Sequence, residues 1–365
     1  MTSSAYIHIP FCKSKCNYCS FVSYPNYSNS EINEYIKILL KEIEYYYKDE
    51  PLKTIYIGGG TPSLCEAEDL EKILNCFSKE ANAEITVEIN PETVDTDYLL
   101  RLSTSGFNRL SIGIQSFDNN ILKDIGRIHN AQTAVETIIS AQKSGFQNIN
   151  TDFIYGLPNQ SIDSFISDLK TAVELDVEHI SLYGLKIEEN CKFYKNPPQN
   201  IADDDIQADM YLAAVNLLEK AGYEHYEISN FAKKGYESKH NLNYWNDEEY
   251  YGFGAAAHGY INNVRYSNFG NLSDYKSQYD TKEYIEALNK QKRLEETIFL
   301  GLRKGCGINI KDINTKFEID FETKYKNILD KYIDSNHLIK TPNGYKFSNQ
   351  GFLVSNIILA DFISC

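Results

Sequence analysis

The stretch Tyr6-Ile-His-Ile-Pro-Phe-Cys12-Lys-Ser-Lys-Cys16-Asn-Tyr-Cys19-Ser-Phe21 sets the terms on which the other residues are read. It begins in an apolar run, residues 5–9, that reads as a short buried strand. Pro10 and the polar residues between the thiols then take the chain out of that strand as a loop. Three thiolates on one short loop can converge on a single metal centre. A closed structural zinc site wants a fourth protein ligand; no further C-x-x-C or H-x-x-x-H pair follows, so neighbouring His8 would have to complete it. A cubane iron–sulfur cluster takes one thiolate per iron. Three cysteines leave one iron with no protein ligand, and a vacant iron is a site for a small molecule.

Outward from this loop the hydrophobic period alternates. Apolar residues recur at helical spacing over 30–48, with Ser30 and Asn33 as the expected N-terminal cap. A buried strand at 54–57 is broken by Gly58-Gly59-Gly60-Thr61-Pro62. Helices at 66–77, 97–102, 131–143 and 164–174 then alternate with strands at 84–89, 109–115, 148–154 and 179–185. This alternation predicts parallel βα units and an α/β fold, a partial TIM-like (β/α)6 barrel over residues 1–190. Active sites in such barrels lie at the carboxyl ends of the strands. The cysteines, the triple glycine, Glu88, Gln115, Asp152 and Tyr183 all fall at or near those ends.

Residues 191–280 form a connecting segment. Asn196-Pro-Pro-Gln199 reads as a linker, Asp203-Asp204-Asp205 opens a helix to 221, and 222–228 returns as a strand. Residues 230–271, dense in Gly, Asn and Tyr, have no period to assign. Residues 281–365 read as a mainly helical α+β domain. Helices over 308–317 and 321–333, a hairpin over 337–347 turning at Asn343-Gly344 and a helix over 351–362 resemble a winged helix.

A net charge of −15, with no basic stripe on the winged-helix-like unit, argues against nucleic acid as a partner. No apolar run approaches the roughly 20 residues of a transmembrane segment. The opening Met1-Thr-Ser-Ser-Ala-Tyr6 lacks the basic region and apolar core of a signal peptide, so the expected compartment is the cytoplasm. Cys65, Cys76, Cys191, Cys306 and Cys365 lie apart from the loop and read as reduced thiols.

The spacing C-x-x-x-C-x-x-C, with an aromatic residue before the last cysteine, resembles the cluster loop of radical S-adenosylmethionine (SAM) enzymes. Phe107-Asn-Arg-Leu-Ser-Ile-Gly-Ile-Gln-Ser-Phe117, Gly126-Arg-Ile-His129, Asp152-Phe-Ile-Tyr-Gly-Leu-Pro158 and His240-Asn-Leu-Asn-Tyr-Trp245 are similar, in order, to one family among them. That family contains oxygen-independent coproporphyrinogen III dehydrogenase and the HemW-type haem chaperones. The resemblance implies that Cys12, Cys16 and Cys19 hold a 4Fe-4S cluster whose open iron is chelated by the SAM amine and carboxylate. In the superfamily an electron from the cluster then splits the sulfonium to a 5′-deoxyadenosyl radical. The resemblance further implies SAM contacts from Tyr6, Gly59, Gly60, Thr61, Glu88, Gln115, Arg127 and Asp152. These residue types suit such a ligand. Glycine admits close approach to the backbone, a guanidinium grips a carboxylate bidentately, and Glu88, Gln115 and Asp152 can accept from ribose or amine.

Haem is the second expected ligand, because imidazole is a good axial ligand to haem iron. Of the seven histidines, His240 opens a motif that includes the single Trp and resembles one implicated in haem binding by the chaperones. The other reading is that Asn241, Tyr244 and Trp245 pin this loop against the barrel. Two departures separate the chain from the dehydrogenase: Phe21 stands where the dehydrogenase-type loop has a further cysteine, and the cluster loop begins almost at residue 1 without a long extension. Both resemble the chaperone branch. The expected function is a haem chaperone that binds the cluster, SAM and haem, takes an electron from a donor and delivers haem to recipient proteins, respiratory ones among them. The alternatives are oxidative decarboxylation of a porphyrinogen propionate and radical SAM methyl transfer to an aromatic substrate.

Overall fold

A computed structural model describes residues 2–363; Cys365 lies outside the described residues. Six parallel strands run side by side in chain order: β1 (Ser4–Ile9), β2 (Leu52–Gly59), β3 (Lys79–Ile89), β4 (Arg109–Gln115), β5 (Ile149–Tyr155) and β6 (His179–Gly184). Their side chains alternate with a period of two. Ile7, Ile57, Val87, Ile112, Phe153 and Leu182 are buried on one face, in the large hydrophobic core. Burying each such side chain is worth about 1.5–3 kcal/mol, which holds the helices against this face. The other parity carries Tyr6, Tyr56, Glu88, Ser111, Asp152 and Tyr183, an unusually polar set for a sheet interior.

The helix Asn29–Tyr46 covers the strands' apolar face through Ile32, Tyr35, Ile36, Leu39 and Ile43. Its cap is Ser28 and not Ser30. The Ser28 Oγ accepts from the Glu31 N–H and the Glu31 carboxylate accepts from the Ser28 N–H at 2.8 Å, a capping box that Ser30, with Asn33 behind it, does not form.

The segment from 191 to 280 is more regular than its composition predicts. It contributes β7 (Glu224–Glu227), β8 (Asn230–Ala232) and β9 (Tyr251–Phe253) to the same sheet, whose order is β7-β8-β6-β5-β4-β3-β2-β1-β9. The sheet therefore continues past residue 190. The physical reason lies at its edges: β1 and β6 would otherwise expose unpaired backbone, and β9 pairs parallel with β1 while β8 pairs antiparallel with β6. Residues 258–287 form a second sheet of three antiparallel strands, β10 (His258–Ile261), β11 (Val264–Ser267) and β12 (Tyr284–Ala287).

The C-terminal unit sets β13 (Ile308–Asn309), β14 (Leu338–Lys340) and β15 (Gly344–Phe347) among helices that include Ile310–Phe317, Lys326–Asp334 and Ser355–Ile363, a winged-helix-like order. Its turn is closed by Thr341 and Gly344 and centres on Pro342-Asn343, one residue earlier than the Asn-Gly pair predicts. Pro342 presets the first central φ. Among the described residues no helix is long and apolar enough to cross a membrane.

Candidate cofactor site at the barrel mouth

The cysteine loop leaves β1 and folds over the carboxyl ends of the strands. The Tyr24 N–H donates to the Pro10 carbonyl at 2.7 Å and the Cys12 N–H donates to the Tyr24 carbonyl at 3.2 Å, pinning the loop's base. The Asn17 N–H donates to the Ile125 carbonyl and its side-chain amide to the Asp124 carbonyl, both at 2.9 Å, anchoring the tip. Cys12, Cys16 and Cys19 thereby line one cavity of about 430 Å³ together with Gly59, Gly60, Thr61, Glu88, Gln115, Arg127 and Asp152. Ten of the predicted site residues thus meet in one place, although they come from the cluster loop, from all four strands β2 to β5 and from the loops that follow them.

The glycines serve the protein's own packing. Gly59 has φ +114°, and a Cβ there would lie 2.5 Å from the His8 ring. A Cβ on Gly60 would lie 2.5 Å from the Phe11 carbonyl oxygen, which accepts from the Thr61 N–H at 2.7 Å. The triple glycine lets β2 nest under the base of the cysteine loop.

Glu88 is held by the Tyr56 hydroxyl at 2.7 Å and the Gly59 N–H at 2.9 Å. Burial, opposed by those hydrogen bonds, pushes its carboxyl up to about 7. Asp152 accepts from the Asn150 amide at 2.8 Å and the Ser111 hydroxyl at 3.0 Å, and burial raises it too. Arg127 donates to the Asn90 side-chain oxygen at 2.7 Å and to the Gly113 carbonyl, and its other terminal nitrogen lies 3.7 Å from the Cys16 sulfur. Its Nε is buried with no protein partner. Gln115 sits at φ +68°, beside a register shift between β4 and β5, and its side chain makes no hydrogen bond among the described residues. A non-glycine residue in that region is strained, and such strain collects at functional sites.

Two predicted residues lie elsewhere. Tyr6 lines an adjoining cleft, where its hydroxyl pairs with the His8 Nδ1 at 2.9 Å. His240 lies apart from the cluster cavity. It lies 1% exposed at the amino-terminal end of the barrel, with Nδ1 2.7 Å from the Thr54 hydroxyl and Nε2 2.8 Å from the Tyr244 hydroxyl, and its ring stacks on Tyr56. Burial drives its pKa down to about 3. With both nitrogens engaged, His240 presents no lone pair to a cavity. The helix Lys239–Trp245 that carries it is a plug: Glu84 accepts from the N–H groups of Lys239 and His240, each at 3.0 Å. These contacts hold the His240-Asn-Leu-Asn-Tyr-Trp245 motif against the barrel. His8 is likewise engaged at both nitrogens, by Tyr6 and by the Val22 carbonyl at 3.0 Å, so it is not free to complete a zinc loop.

Sequence reasoning missed Asn90. It accepts from Arg127 and donates to the Thr61 hydroxyl at 3.0 Å, tying the arginine to the glycine strand. Its place at the end of β3 was the available signal. Also missed was Arg109, 2% exposed beneath the cavity, whose charge acts on Tyr56, Glu88, Asp152 and His240.

The residues present suit a cluster. Cys12, Cys16 and Cys19 line one cavity, which supplies one thiolate to each of three irons. Gln115 and Arg127 line the same cavity, the Gln115 amide unspent and the Arg127 Nε buried without a protein partner, as a polar ligand's site would have them.

Comparison with known proteins gives these features a family. The Radical SAM superfamily model matches residues 6–172 and the HemN C-terminal domain model matches residues 288–354. The chain is 37% identical over 370 residues to the haem chaperone HemW of Lactococcus lactis, covering 99% of this chain and 97% of that protein. This chain belongs to the HemW family. It is also 34% identical to the haem chaperone HemW of Bacillus subtilis, over 99% of both chains. The structure of the coproporphyrinogen III oxidase HemN from Escherichia coli, a radical SAM enzyme, superimposes with a TM-score of 0.86 at 22% identity, covering 99% of this chain and 90% of that one. This confirms the fold: a radical SAM barrel followed by a helical C-terminal domain. Membership of the family implies a 4Fe-4S cluster and SAM as cofactors.

Proposed function

We propose that this protein is a haem chaperone of the HemW kind, which binds a 4Fe-4S cluster and SAM at the barrel mouth and carries haem to recipient proteins in the cytoplasm. The observation that supports this most is similarity along the whole chain, 37% identity over 99% of its length, to a protein named for haem chaperoning.

Within that reading Cys12, Cys16 and Cys19 are the cluster ligands. The Gly59-Gly60-Thr61 backbone meets the methionyl end of SAM, and Arg127 offers its remaining donors to the methionyl carboxylate. Glu88 and Asp152 accept hydrogen bonds from ribose hydroxyls or the amine, and Gln115 donates or accepts. Tyr6, one cleft away, bears on SAM through Tyr56, on which its ring stacks at 6.1 Å between centroids. When bound, the cluster and SAM supply one-electron chemistry to the site. The neutral form of Glu88, favoured by burial up to about pH 7, keeps the pocket from accumulating charge.

Anaerobically reconstituted protein tests the function. Loaded with haem and mixed with a haem-free acceptor protein, it should transfer haem, and it should form no decarboxylated product from coproporphyrinogen III with SAM and reductant. Measurable decarboxylation, or failure to hold or transfer haem with the cluster intact, would overturn the reading.

A further inference from the structure

The HemW reading leaves the haem site itself unassigned, and both ring nitrogens of His240 are engaged within the protein. A second cavity of about 440 Å³, a volume typical of ligand sites, lies beside the cluster cavity and shares its Ser20–Phe21 wall. Tyr6, His8, Phe21, Tyr244, Tyr250 and His258 line it. Four aromatic rings on one small cleft offer flat apolar surface, and Phe21, 69% exposed, projects from the rim with nothing of this chain packed over it. A large exposed aromatic at a cavity edge is the kind of feature that marks a ligand or partner site.

The histidines separate by their hydrogen bonds. His8, His129, His179 and His240 each have both ring nitrogens engaged, while His225 faces the Tyr211 hydroxyl and His337 the Ser335 hydroxyl. His258 is the exception. It opens β10, is exposed, and its ring has no hydrogen-bond partner among the described residues. Neutral imidazole is the ligating form, and partial desolvation together with the Arg265 charge holds His258 below its ordinary value. One unengaged imidazole facing flat aromatic walls is the chemistry a planar metalloporphyrin takes: iron to the nitrogen, rings against the porphyrin face.

Resting on the haem-carrier reading, we propose that haem occupies the cleft between the cluster loop and β10, with His258 as an axial ligand to its iron and Phe21 against the porphyrin face. The open rim suits cargo that must leave. The position also puts haem next to the cluster cavity, across the wall formed by Ser20 and Phe21, so that the residue standing where the dehydrogenase-type loop has a cysteine becomes part of the haem site.

The test titrates haem into reconstituted full-length wild type, His258→Ala, His258→Gly and, as control, His337→Ala, reading visible absorption against the cluster-loaded baseline and checking each fold by thermal denaturation. The expected result is binding by wild type and His337→Ala, a loss of roughly tenfold or more in His258→Ala with an altered spectrum, and recovery of the wild-type spectrum when free imidazole is added to His258→Gly. Unchanged affinity and spectrum in His258→Ala would overturn the site while leaving the haem reading intact. Weakened binding that imidazole does not restore, with a lowered melting temperature, would make His258 structural and also overturn it. No haem binding by wild type with its cluster intact would instead bring down the haem reading, and this inference with it.

Discussion

Both ends of the barrel bury polar side chains, and they put them to opposite uses. At the amino-terminal end Ser4, Thr54, Glu84, His240 and Asn243 are buried, and every one of these polar side chains is bonded within the protein; the helix Lys239–Trp245 closes that end like a stopper. At the carboxyl end Cys16, Gln115 and Arg127 line a cavity, and the groups there are only partly spent. Polar groups buried and satisfied fix one conformation; polar groups buried and unsatisfied cost free energy until a ligand arrives. Saturation separates these five side chains from those of the mouth.

The largest effects that would break this comparison belong to the stopper. Glu84→Gln leaves one carbonyl oxygen where a carboxylate served the N–H groups of Lys239 and His240, and His240→Ala orphans the Tyr244 hydroxyl and leaves the Thr54 hydroxyl only its bond to Ser4. Each should lower stability by about 2–4 kcal/mol, measured by denaturant titration, while variants that still fold assemble the cluster and bind SAM. Equal damage to SAM affinity and to stability would mean that the two ends are not separable.

A smaller and opposite signature belongs to the mouth. Gln115→Gly removes a side chain without an internal hydrogen bond and relieves a left-handed backbone. Stability should rise by about 1 kcal/mol while SAM binding, followed by calorimetry, weakens about tenfold, equivalent to roughly 1.4 kcal/mol. A variant that lost stability and kept its SAM affinity would place Gln115 with the stopper residues.

The smallest effect sharpens the contrast through pH. His240, held at about 3, stays neutral in the fold while the unfolded chain takes up its proton below 6.5. Its stabilising contribution is therefore complete above pH 6.5 and is lost as pH falls toward 3, by at most about 1.4 kcal/mol per unit. Glu88 has the reverse sign. Raised from 4.5 to about 7, it favours the fold below pH 4.5 and that advantage is lost as pH rises to 7. The difference in melting temperature between wild type and His240→Gln should accordingly be widest at pH 7–8 and narrow toward pH 4. A difference that widens on acidification would contradict the neutral, saturated histidine.

The same contrast explains what could be read from the chain. The cysteine spacing and the alternation of strands and helices are local signals, so the partial barrel and ten of the mouth residues were legible at the ends of their strands. Saturation is tertiary: nothing in His240-Asn-Leu-Asn-Tyr-Trp245 announces that Thr54 and Tyr244 will take both ring nitrogens. The strands β8 and β9, three residues each, are too short to show a period and take their order from the edges of β6 and β1. His258 carries no motif of its own; what distinguishes it is the partner it lacks.

The most direct test of the mouth as cofactor site is electron paramagnetic resonance of the anaerobically reduced, iron-reconstituted protein, recorded with and without SAM. A 4Fe-4S signal whose g values shift on adding SAM, and which is absent from Cys16→Ser, is the result predicted for three thiolates and an iron left open to SAM. A cluster signal indifferent to SAM, or one that survives in Cys16→Ser, would contradict it.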